Sequence, residues 1–85
     1  MKTIWKYPIH PDTTLLSMPA GAKVLCVQTQ NNEPYIWALV DPAAMKIDRY
    51  FSIYGTGHGI PLYPGSYIGT WQADDLVWHL FEGPR

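Results

Sequence analysis

The sequence predicts an all-β chain, a small antiparallel β-sandwich or barrel of about six to seven short strands. Three observations carry this reading. Short runs rich in Val, Ile, Tyr, Phe and Trp alternate with Pro, Gly, Asn and Asp turns along the whole chain. No window of about ten residues shows helical periodicity free of β-branched and aromatic clustering. No repeat, low-complexity run or linker divides the 85 residues, so they make one small domain, 1–85.

Residues 4–9 form a first strand, and Pro8 and Pro11 place it at an edge or terminus. Residues 13–18 form a second strand after the His10-Pro11-Asp12 turn, and Pro19-Ala20-Gly21 reverses the chain. Residues 22–30 read as a central strand, because Val24/Cys26 and Leu25/Val27 make both faces apolar. Asn31-Asn32 suits the positive-φ positions of a tight hairpin. Residues 35–40, Tyr-Ile-Trp-Ala-Leu-Val, are the longest apolar run and the expected buried centre; a single helical turn fits near Pro42-Ala43-Ala44-Met45.

Residues 47–54 alternate, with Ile47, Phe51 and Ile53 on one face interrupted by Arg49, and Asp48, Tyr50, Ser52 and Tyr54 on the other. Residues 66–72 place Tyr67 and Trp71 together and Ile68 opposite. Asp74-Asp75 turns the chain into a last strand, residues 76–81. Trp37, Trp71, Trp78, Phe51 and Phe81 are assigned to the core. Trp5, Tyr7, Tyr50, Tyr54 and Tyr63 are assigned to exposed stacking or interface surfaces.

At this length only some 60–65% of the unfolded chain's surface is buried on folding, so stability needs reinforcement. One cysteine excludes an internal disulfide, and Cys26 reads as a small core residue. Four Trp, six Tyr and two Phe supply aromatic packing, and a hydrophobic fraction of 47% points to homo-oligomerisation. Six Lys and Arg against seven Asp and Glu, with the basic residues scattered, exclude the clustered cations that grip a long nucleic acid. No stretch is long or apolar enough to span a bilayer. Lys6 interrupts what would be the apolar part of a signal peptide, so the chain is expected to stay where it is made.

Catalytic and metal chemistry find little support. Ser17, Ser52 and Ser66 sit in no nucleophile elbow, and His10, His58 and His79 lack partners at local ligand spacing. His79 reads as a strand histidine among aromatics. The chain is therefore read as a non-enzyme with no cofactor. The distinctive stretch is the loop 55–65, with four glycines, two prolines and His58. Gly55-Thr56-Gly57-His58-Gly59 is a partial phosphate cradle, in which backbone N–H groups converge and Thr56 and His58 add donors. It has no lysine and no third glycine of a dinucleotide loop, because Ile60 stands there. Its glycines also serve a sharp crossing from one sheet to the other. Gly55, Thr56, Gly57 and His58, with Arg49, Tyr54 and Tyr63 beside them, are the candidate ligand-binding residues.

Six segments carry a resemblance over nearly the whole chain. They are Ile4-Trp5-Lys6-Tyr7-Pro8-Ile9, Met18-Pro19-Ala20-Gly21-Ala22-Lys23, Trp37-Ala38-Leu39-Val40-Asp41-Pro42, Gly55-Thr56-Gly57-His58, Tyr67-Ile68-Gly69-Thr70 and Val77-Trp78-His79-Leu80-Phe81-Glu82. In this order they resemble a family of small proteins encoded mainly by bacteriophages and prophages, usually described as uncharacterised. The resemblance implies a phage origin and a place in the cytoplasm of the infected bacterium, and brings no active site with it. The expectation is an accessory binding protein that sequesters a small anionic, nucleotide-like ligand, in a counter-defence role. The alternatives are an inhibitor or adaptor of a host protein and a minor virion structural protein.

Overall fold

The computed structural model describes residues 1–12 and 15–83. Seven antiparallel strands form a two-layered β-sandwich: β1 (Thr3–Pro8), β2 (Leu15–Pro19), β3 (Lys23–Gln30), β4 (Glu33–Val40), β5 (Lys46–Gly55), β6 (Ser66–Ala73) and β7 (Leu76–Glu82). One sheet has the order β1-β4-β3, the other β2-β5-β7-β6. Among the described residues there is no helix. The body is flat, 40 × 31 × 17 Å, which leaves two broad outer faces.

Alternation along the strands builds the interior. Ile36, Ala38 and Val40 of β4 face Phe51, Trp71 and Leu80 of the second sheet, with Ile9, Met18 and Val27 completing the core. Asn31 and Asn32 both take positive φ, 53° and 65°, in the two-residue turn joining β3 to β4. Pro42 and its neighbours make a turn rather than a helix, with Ala44 N–H donating to the Asp41 carbonyl at 3.0 Å.

Several expectations need correction. β3 is an edge strand, not a central one; β4, with β1 and β3 on either side, is the central strand of this sheet. A bulge between Val24 and Cys26 switches the facing of β3, which is why both of its faces read as apolar. Cys26 consequently sits half-buried opposite Trp37 on the outer face. Trp5 and Tyr7 pair with Ala38 and Ile36 and pack against the core instead of facing solvent. Trp37 and Phe81 lie half-buried on the outer faces. Tyr67 and Trp71 do not share a face, because a bulge between Tyr67 and Gly69 reverses the alternation. Trp71 is buried and Tyr67 is 59% exposed. Thr13, expected to open β2, lies outside the described residues.

The glycine loop also has a different task. β5 and β6 both run antiparallel to β7, which lies between them, so they are parallel to each other. Gly55 pairs at the Trp78 end of β7, whereas Ser66 pairs at the Glu82 end. Residues 56–65 must therefore return past β7 within one sheet, not cross between sheets. A parallel connection without a helix needs chain that turns sharply, and Gly and Pro supply it.

Candidate functional site

The crossover begins with a turn. His58 N–H donates to the Gly55 carbonyl at 3.0 Å, with Gly57 at φ 86° in the third position, the signature of a type II turn. Thr56 N–H donates to the Val77 carbonyl at 3.0 Å. Two of the N–H groups that a phosphate cradle needs are thus held by carbonyls of the protein. Gly55 is buried, and a Cβ there would lie 2.7 Å from the His58 ring and 3.3 Å from Trp78. The absent side chain lets the imidazole lie against Trp78, ring centroids 6.2 Å apart and edge-on. At the far end Gly65, φ 100°, passes so close to the Glu82 carbonyl that any Cβ would stand 2.1 Å from it.

Beneath this strap lies a cleft of about 240 Å³, whose walls include Thr56, His58, Ile60, Tyr67, His79 and Phe81. Phe81 is central to its aromatic wall, with Tyr67 and Tyr54 meeting it edge-on at 5.5 and 5.8 Å. A line of hydroxyls and one imidazole crosses the polar side. Tyr67 Oη meets Thr70 Oγ1; Thr70 Oγ1 meets His79 Nδ1 at 2.9 Å; His79 Nε2 meets Thr56 Oγ1 at 2.7 Å. Thr56 Oγ1 lies 3.3 Å from the Val77 carbonyl, which can only accept. That anchor orients the line: Thr56 donates to Val77 and accepts from Nε2–H, so Nδ1 accepts from Thr70, which accepts from Tyr67. In this arrangement both ring nitrogens of His79 are engaged.

Gly55, Thr56, Gly57 and His58 all line the cleft. Tyr54 flanks the cleft through its contact with Phe81 without lining it. Tyr63 is 79% exposed and also lies outside the lining. Arg49 is elsewhere. Its position on β5 turns it inward near the opposite end of the strand, where Nε and Nη2 hold both carboxylate oxygens of Glu82 and Nη1 donates to the Ala22 carbonyl at 2.7 Å. Hydrogen bonding to Glu82 raises the guanidinium pKa against the lowering effect of burial. Arg49 closes the sandwich; it does not serve the loop.

Residues 55–59 were legible as a candidate site, but His79, Tyr67, Thr70 and Phe81 were not. Part of the signal was present. A two-residue turn at Asp74-Asp75 counts back through Ala73↔Leu76 to Thr70↔His79. Tyr67 joins them only because of the bulge. Among the described residues no group of three or more His, Cys, Asp or Glu could hold a metal ion. Nor is any helix among them long and apolar enough to cross a membrane.

A family model described as Domain of unknown function (DUF7352) matches residues 1–85. The chain belongs to that family. No curated protein and no solved structure matches it.

Proposed function

We propose that this chain is a non-catalytic binding module that holds a small nucleotide-class ligand in the cleft under the 56–65 crossover. The observation that carries the reading is the pairing of an aromatic wall, Phe81 and Tyr67, with hydrogen-bonding groups at Thr56 and His58 in one recess. Small-ligand sites have this composition, mostly apolar with few polar groups. At about 240 Å³ the recess is smaller than the roughly 300–1,000 Å³ of drug-sized pockets, so it suits one flat ring system.

No described Lys or Arg lines the recess, and Arg49 is held by Glu82. The base, not the phosphate, is therefore the recognised part, and the anionic portion points outward. The resemblance to phage-encoded proteins supports a setting in the infected bacterium, where withholding a nucleotide signal would blunt a host defence.

Isothermal titration against nucleosides, mononucleotides, cyclic di- and trinucleotides and NAD-derived molecules tests this. Binding of at least one of them is expected, with the free nucleoside keeping most of the affinity and Phe81→Ala losing it. A flat response across the panel removes the proposal.

A further inference from the structure

We infer that the outer face of the β2-β5-β7-β6 sheet, with the adjoining crossover, is a self-association surface that docks a second copy of this chain. An antiparallel sheet with one face on a core normally presents polar side chains on the other. This sheet departs from that pattern: between Ser17, Asp48, Ser52, Thr70 and His79 its outward positions carry Leu15, Tyr50, Tyr54, Tyr67 and Phe81, with Leu15 opposite Tyr50 and Tyr67 opposite Phe81. The crossover adds Leu62 and Tyr63, 83% and 79% exposed, beside Ile60 at 45%.

Charge argues for a copy as the occupant. From Tyr50 to Ala73 the chain carries no Lys, Arg, Asp or Glu. An isologous interface sets a patch against itself, so any charge near the axis meets its own sign. A patch without charge meets no such penalty, and it offers nothing to attract a charged partner. Asp48 stands at the margin of the face, beside Ser17, where a polar rim belongs.

Area agrees. Taking roughly 150–250 Å² for an aromatic side chain and somewhat less for an aliphatic one, Leu15, Ile60, Leu62, Tyr63 and Tyr67 expose on the order of 600 Å². That is at the upper limit of the roughly 300–600 Å² patch found on monomers. The remainder of the roughly 800 Å² per partner of a stable interface has to come from the polar groups between them. A second copy seated there also roofs the cleft, since Ile60 and Tyr67 belong to both.

Sedimentation equilibrium across a dilution series provides the test. The wild-type chain is expected to show twice its 9.7 kDa mass at the concentrated end and to dissociate on dilution. Leu62→Lys and Tyr63→Lys, at side chains exposed in the monomer, are each expected to raise the dissociation constant about tenfold or more. Tyr35→Lys, on the outer face of the other sheet, should leave it unchanged. A wild-type monomer at every concentration overturns the inference. So does a dimer that survives both loop variants but is lost in Tyr35→Lys. Far-ultraviolet circular dichroism on each variant keeps unfolding from passing as dissociation.

Discussion

Arg49→Met separates the two roles that an arginine beside a binding loop can have. Methionine keeps much of the buried stem and removes only the guanidinium. Lost with it are the two contacts to Glu82 and the 2.7 Å bond to the Ala22 carbonyl. Charge-assisted bonds of this kind contribute about 1.5–3 kcal/mol each when shielded. Here the Arg49 and Glu82 side chains are 17% and 26% exposed, so water recovers part of the loss. A net cost of about 3 kcal/mol results, against about 4–13 kcal/mol for a domain of this length. The melting temperature should fall on the order of 10–20 °C. Urea unfolding of Arg49→Met, Glu82→Gln and the double variant gives the coupling between the two residues, expected at about 1–3 kcal/mol. A loss below about 1 kcal/mol with no coupling refutes the clamp. If nucleoside binding disappears while stability holds, Arg49 belongs to the ligand after all.

Two further outcomes follow from packing. Gly69→Ala drives a Cβ to 2.6 Å from Val27 Cγ1, where β6 crosses β3, and should cost about 1–3 kcal/mol. Adding Val27→Ala should make the pair less destabilised than the sum of the single changes; strict additivity in urea melts would contradict the contact. The Tyr7 hydroxyl is buried without a hydrogen-bond partner among the described residues, so Tyr7→Phe should stabilise the fold by about 1 kcal/mol. Burial holds the Tyr7 phenol above its ordinary 10.0, against the lowering effect of Arg49. Its contribution is therefore full below about pH 10 and is lost as pH rises through the folded value. The alkaline fall in unfolding midpoint should be shallower in Tyr7→Phe, and an unchanged slope would assign it to another group.

What could be read in the chain was whatever depends on local chemistry. Asn31-Asn32 specifies its own turn, and the run from Tyr35 to Val40 is apolar because β4 lies between two partners. The β5 alternation correctly set Phe51 and Ile53 inward. Features that depend on a distant neighbour were not legible. Arg49 appears as an interruption of an apolar face until Glu82, far along the chain, is brought beside it. The insertion of β7 between β5 and β6 leaves no trace in either strand. Each bulge moves one side chain across the sheet, and this is why plain alternation sets Tyr67 with Trp71 rather than with His79.

The position of β7 also governs how the chain must fold. The last strand in sequence occupies an interior place in the four-stranded sheet, between strands that cannot pair with each other. The pairing of β5 with β7 spans the whole crossover and β6, so it is a non-local contact. Local hairpins, β3 with β4 and β6 with β7, can form early, but closing the sheet requires a non-local docking step. Docking of β7 beside β5 is also the event that places its His79 and Phe81 under the glycine strap. Non-local pairing of this kind slows folding, and the recess under the strap exists only once that pairing has closed.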